Sequence, residues 1–168
     1  FAKTITIRCK PFTNFVIMNT QPPIYLHYNT SGFSLKNRNA LKAFIQQLME
    51  QEGKEIESIN YIFCTDDQLL ELNKQYLNHH TLTDIITFEL SAPDTPVISD
   101  IYISVDRVRD NAKTFKIPFN TELHRVIFHG ALHLCGYKDK KASEQGTMRR
   151  KEDFYLNQYF VSRGTVSQ

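Results

Sequence analysis

Two histidines four residues apart, His129 and His133, open the run HGALHLCGYKD at residues 129–139. On a helix their side chains share one face, with Cβ atoms about 5 to 6 Å apart. Two imidazoles so placed can share one ion. A straight helix cannot complete a tetrahedron around an ion at its side, so a third ligand must come from chain that turns back. Gly136 stands three residues after His133, where a left-handed residue ends a helix at little cost, and Asp139 follows three residues later. His129, His133 and Asp139 are therefore the candidate ligands of a divalent metal. Three protein ligands leave a fourth position open, as in hydrolytic rather than structural zinc sites. By itself an i, i+4 histidine pair is equally a surface pair or a pair of satisfied core groups; Gly136 and Asp139 are the two further matches that favour the metal.

The spacing His-x3-His-x2-Gly-x2-Asp follows the metzincin pattern with a carboxylate in last place. Gly130 stands where zinc peptidases of the HExxH type carry the glutamate that takes a proton from the attacking water. Without that base, metal-assisted phosphodiester hydrolysis is favoured over peptide hydrolysis. Gly130 also permits close approach by another element, or is a packing glycine tolerated in a helix at about 1 kcal/mol.

Around this run, Lys138, Lys140, Lys141, Arg149, Arg150 and Lys151 form a cationic stretch that would attract phosphates, and Tyr137 could stack on an unpaired base. A solvated helix face, balanced by Glu144, Glu152 and Asp153, and a core tyrosine are the plainer alternatives. Asp84 and Asp100 lie among apolar residues and are candidates to orient water or a ligating histidine, or to hydrogen-bond a loop. Cys135 reads as an apolar packing residue.

The elements that must position these groups follow from periodicity. A strand is expected at Ile24 to Tyr28, and a helix over Leu35 to Gln51, capped by Ser34 and ended by Gly53. A strand over Ser58 to Cys64 precedes a helix opened by a Thr65/Gln68 capping box and running through Tyr76. Strands at Ile85 to Leu90 and Asp100 to Ser104 come next, then a helix over Val105 to Phe115. The histidine helix is expected from Asn120 to near Gly136, and a last helix spans Ser143 to Phe160. Residues 1–22 read as an arm or extension, or as a short edge strand at Lys3 to Arg8. Interleaved strands and helices predict an α/β or α+β layer around a small mixed sheet.

The 168 residues, 41% of them apolar, suffice for one core and one domain. With 20 Lys plus Arg against 18 Asp plus Glu the net charge is +2, so the whole-molecule field does not mark a nucleic-acid binder. Cys9, Cys64 and Cys135 are widely spaced and suggest a reducing compartment rather than a disulfide framework. No apolar run reaches the roughly 18 to 20 residues of a membrane span, and no signal-peptide pattern opens the chain, so the expected location is the cytoplasm, with no membrane partner.

HGALHLCGYKD resembles the YbeY endoribonuclease signature HGxLHLxGYDH. Thr83 to Phe88 (TDIITF) is similar to that family's TDVLSF, Leu72-Asn73 with Tyr76 matches the segment before it, and Ser99-Asp100-Ile101 resembles its GDI strand. The resemblance runs from Pro23 to Phe160, leaving 1–22 as an arm, 23–160 as one domain and 161–168 as a tail. It implies a bacterial cytoplasmic, single-strand-specific, metal-dependent endoribonuclease. Such an enzyme acts in rRNA processing, small ribosomal subunit maturation and ribosome quality control, with one zinc ion per chain and RNA and the ribosome as partners. The fold it implies is a single zincin-like α+β domain, a small mixed sheet packed against several helices with the metal site on a central one. Carried over by position, the metal histidines fall on His129 and His133, and the third falls on Asp139, a carboxylate that weakens the Lewis acidity and suits harder ions. With Lys138 at the family's Asp position, Asp139 as an outer-shell group stays an alternative. Leu77 stands where the family has an RNA-contacting Arg, a role open to His79, His80 or a C-terminal cation. The competing readings are a zinc peptidase-like hydrolase and a non-catalytic ribosome-assembly factor with a structural metal.

Overall fold

The computed structural model describes residues 22–77, 80–162 and 164; the expectations for the N-terminal arm, for His79 and for most of the C-terminal tail lie outside them. Four strands, β1 (Ile24–Tyr28), β2 (Ile56–Cys64), β3 (Ile85–Glu89) and β4 (Val97–Ser104), form one sheet in the order β1-β2-β4-β3. The first two pairings are parallel, and β3 runs antiparallel to β4 at the edge. Five helices, α1 (Arg38–Gln51), α2 (Asp66–Leu77), α3 (Val105–Phe115), α4 (Phe119–Leu134) and α5 (Ala142–Val161), complete the expected α+β arrangement.

Alternation in the strands sorts the sheet into two faces. Ile59, Tyr61 and Phe63 of β2 and Val97, Ile101 and Ile103 of β4 join the main core with α1, α4 and α5. Ile86, Phe88, Cys64 and Tyr102 lie on the other side, against Leu69 and Leu72 of α2. Asp100 pairs across to Phe88 on that second face and accepts a hydrogen bond from Asn60 Nδ2 at 2.8 Å.

α4 is the hub, touching α1, α3, α5, β3 and β4. A helix surrounded on most sides is apolar on most sides, and from Thr121 to Leu134 only Thr121, Arg125, His129 and His133 are not buried. Those four recur every fourth position, so one narrow stripe of the helix reaches the surface, and the histidines occupy its C-terminal half. Gly130 lies next to that stripe and faces the sheet: a Cβ there would stand 2.9 Å from Ile85 Cδ1 and 3.1 Å from Ile101 Cγ2. Its lack of a side chain lets α4 approach β3 and β4 closely.

Several boundaries moved. α1 starts at Arg38 rather than Leu35, after Asn37 in a left-handed conformation (φ 54°) with no side-chain cap; Ser34 does not open the helix, and Leu35 is buried ahead of it. Pro118, not Asn120, precedes α4. The Thr65/Gln68 box forms, with Thr65 N–H donating to Gln68 Oε1 at 3.2 Å and Gln68 N–H to Thr65 Oγ1 at 3.4 Å.

Gly130→Val adds bulk where none fits. We expect a loss of about 1 to 3 kcal/mol in urea unfolding, larger than the helix-propensity gain of less than about 1 kcal/mol on replacing glycine. An unchanged unfolding midpoint would contradict the close packing of α4 on the sheet.

Candidate metal centre

α4 ends in a Schellman turn, with Gly136 N–H donating to His133 O at 2.9 Å and Tyr137 N–H to Leu132 O at 3.1 Å. Gly136 has φ +92°, a conformation that L side chains rarely adopt. The reversal carries Asp139 back to the helix face: its Oδ2 lies 3.5 Å from His129 Nε2 and 3.6 Å from His133 Nε2, and the two Nε2 atoms are 2.9 Å apart. These three donor atoms form the group that could hold a metal ion among the described residues. Ligands at about 2.0 to 2.1 Å from a tetrahedral ion stand about 3.3 Å apart, a value the three separations bracket.

Proton positions agree with that use. His133 Nδ1 is 2.9 Å from the carbonyl oxygen of Tyr137, which can only accept, so the ring proton sits on Nδ1 and the Nε2 lone pair is free. His129 Nδ1 donates in the same way to Glu152 Oε1 at 2.8 Å. With both rings neutral, two Nε2 lone pairs and a carboxylate thus face one point, an arrangement that suits a cation.

The charges around the pair push the two rings in opposite directions. Burial alone would lower both; for His129 the Glu152 carboxylate, with Asp139 and Asp84, outweighs it and raises the pKa. His133 is lowered, by burial and then by the neighbouring His129. Glu152 is buried on α5, yet His129 and Arg125 hold it below the usual carboxylate range. Asp84 is raised by burial, against hydrogen bonds from backbone N–H groups and the charge of His129.

A cleft of about 640 Å³ opens over the centre, lined by β3 and by Asn73, Asp84, His129, His133, Asp139 and Lys140 among others. Ser104 N–H donates to Asp84 O and Leu90 N–H to Ile98 O. By alternation the N–H and C=O groups of Ile85, Thr87 and Glu89 point away from β4. A second cavity of about 280 Å³ adjoins from behind, sharing Asp84, His129 and Asp139 and adding Arg125, Arg149 and Glu152.

The structure brings together some of the sequence candidates and separates others. Asp84, Lys140 and Arg149 border the centre. Asp100 does not: it lies on the sheet face opposite α4, because strand alternation places it out of phase with Ile101, which Gly130 touches. Lys138 borders a separate shallow cavity, Lys141 precedes α5 with its N–H on Glu144, and Arg150 bonds Thr147. Tyr137 is committed elsewhere, with Lys151 Nζ 5.2 Å from its ring centroid and its hydroxyl donating to Glu52 Oε2 at 2.8 Å. Cys135 packs as expected, 3.6 Å from Met49 Sδ, its thiol pushed up to about 12 by burial and then by Glu52.

Sequence reasoning missed Glu152, Arg125 and Glu52. Glu152 carried a signal: it shares the buried stripe of α5 with Met148, Tyr155, Leu156 and Tyr159, and a carboxylate there demands a partner. Glu52 gathers Tyr137, Tyr155 and Lys151, tying the turn after α4 to α5 and the end of α1.

A family model described as Endoribonuclease YbeY matches residues 27–160. A Flavobacterium psychrophilum protein named Endoribonuclease YbeY is 47% identical over 131 residues, covering 78% of this chain and 93% of its own. One of the same name from Flavobacterium johnsoniae is 44% identical, covering 83% and 99%. The solution structure of a Thermotoga maritima protein superposes with a TM-score of 0.59 at 28% identity, over 84% of this chain and 92% of its own.

Burial alone would raise Glu52, but Lys151, Tyr155 and Tyr137 together hold it below its ordinary 4.5. A depressed carboxyl contributes stability above its unfolded pKa and loses it as pH falls through the folded one. Glu52→Ala should therefore cost about 1 to 3 kcal/mol in urea unfolding at neutral pH, shrinking on acidification below 4.5. A pH-independent difference would contradict the charge-based clamp.

Proposed function

The chain belongs to the YbeY family of endoribonucleases, hydrolases acting on RNA, and from that premise we propose that it cleaves single-stranded RNA at one zinc ion held by His129, His133 and Asp139. The observation that carries the reading is the convergence of two imidazole Nε2 atoms and a carboxylate oxygen at an open cleft. Bound there, zinc would supply Lewis acidity toward a phosphoryl oxygen and an activated water as nucleophile.

The chain's own residues do the remaining work. His129 and His133 keep their protons on Nδ1, toward Glu152 and Tyr137, and leave Nε2 for the ion. Asp139 brings a negative charge that three neutral histidines would lack, lowering the electrophilicity of the centre. Lys140 at the cleft and Arg149 at the rear cavity offer cations to RNA phosphates, and the outward N–H groups of β3 offer neutral donors beside them. Asp84, half-buried between the two cavities, accepts from Asn111 Nδ2 at its Oδ2 at 3.0 Å, and its carboxylate is a candidate to orient water near the centre.

Gly130 is filled against by Ile85 and Ile101, so no carboxylate takes the peptidase position, which supports phosphodiester over peptide chemistry. The reading extends to ribosomal RNA, in small-subunit maturation and ribosome quality control, with the ribosome as partner and the cytoplasm as location. Among the described residues no helix is long and apolar enough to cross a membrane. The domain assignment follows the same reading, with 23–160 as the catalytic unit between an arm and a tail.

His133→Ala is expected to retain no zinc on elemental analysis and to lose single-stranded RNA cleavage, while casein is untouched by parent and variant alike. Undiminished zinc in the variant would remove His133 from the ligand set, and casein hydrolysis by the parent would favour a peptidase. Asp139→His should hold zinc at least as tightly as the parent, and Asp139→Ala more weakly; equal affinity in Asp139→Ala would make Asp139 a bystander.

A further inference from the structure

We propose that Glu152 is a positioning residue of the metal centre, its carboxylate fixing His129 as an Nε2 ligand while Arg125 fixes the carboxylate. The inference rests on the metal-binding reading above and deepens it.

Glu152 is 5% exposed and sits among Met148, Tyr155 and Leu156 on α5. Burying a carboxylate there is costly unless both oxygens are engaged, and both are. Oε1 accepts from His129 Nδ1 at 2.8 Å, and Oε2 accepts from Arg125 Nη1 at 3.0 Å. The same Nη1 also donates to Asp153 Oδ1 at 2.7 Å, so the arginine is shared between two carboxylates of α5.

An imidazole without such a backing has two freedoms that harm a ligand. It can rotate so that Nδ1 and Nε2 exchange places, and it can carry its proton on Nε2, which blocks the lone pair. An ionised carboxylate behind Nδ1 removes both, since it accepts only from a protonated nitrogen. The two histidines differ in this respect. His133 is backed by the Tyr137 carbonyl, supplied four residues away by the turn that ends α4. His129 is backed from α5, twenty-three residues away, and so depends on the docking of that helix. The chain's two imidazole ligands are therefore set by separate devices, one local and one tertiary.

A structural ion pair between α4 and α5 would use the same contacts, and zinc affinity separates the roles. In the full chain, E152A is expected to weaken zinc binding, measured by chelator competition, by about tenfold to a hundredfold. E152Q, a neutral acceptor of the same shape, should fall between E152A and the parent in zinc affinity. In the zinc-loaded protein, the His129 Nδ1 proton seen by NMR in the parent should be lost to exchange in E152A. If E152Q and E152A both bind zinc as tightly as the parent, the inference is wrong while the metal reading stands. A parent chain that retains no zinc overturns the metal reading, and this inference with it. Should E152A fail to fold, E152Q alone decides.

Discussion

Two imidazole nitrogens 2.9 Å apart repel one another unless a proton or a metal ion lies between them. Most of what surrounds His129 and His133 maintains that pairing. The Schellman turn returns a carbonyl to His133, α5 brings a carboxylate to His129, and the chain after Gly136 delivers Asp139. Each of these contacts draws a ring proton to Nδ1 or adds negative charge to the centre. The result is a cluster of donor atoms that a divalent ion could occupy.

α4 holds the two histidines in place through its packing. It is buried on nearly every side, packed on the sheet through Gly130, and crossed by α5, with Phe128 against Phe44 and Tyr159. Arg125, one turn before His129 on the exposed stripe, gathers Glu152 and Asp153 and limits the negative charge on the far side of the ring. Glu52 performs the equivalent task for the turn after α4, where Lys151 compensates its charge. Two carboxylates, Glu152 buried and Glu52 half-buried, each paired to a cation on or against α5, flank the candidate centre. The centre lies at an open cleft rather than a closed pocket, a shape that accommodates an extended single strand.

What could be read from the sequence is what is local. β1 and α3 match their expected limits, α3 because Ser104 accepts from Arg107 N–H at its start and Lys116 turns left-handed at its end. His129, His133, Gly136 and Asp139 fall within one turn-terminated helix, so their convergence follows from spacing. α1 was misread at its start because Ser34 has the chemistry of a cap, whereas the chain holds Leu35 in the core before the helix begins. Asp100 was misplaced for a different reason: alternation shows that a strand has two faces but not which one the metal helix covers. Tyr137 sat beside the ligands in sequence, and its side chain was claimed by Glu52, 85 residues earlier. Glu152 and Arg125 escaped because a salt bridge across two helices has no fixed spacing, although the carboxylate on an apolar stripe was visible.

The central claim is that the ion serves the reaction rather than the fold, and chelation tests it most directly. Purified protein is stripped of metal, and its circular dichroism and single-stranded RNA cleavage are followed before stripping, after it, and after zinc is returned. The account predicts that cleavage disappears on stripping and returns with zinc, while the helical signal stays near its original level. Unfolding on stripping, or RNA cleavage that persists in metal-free protein, would contradict it.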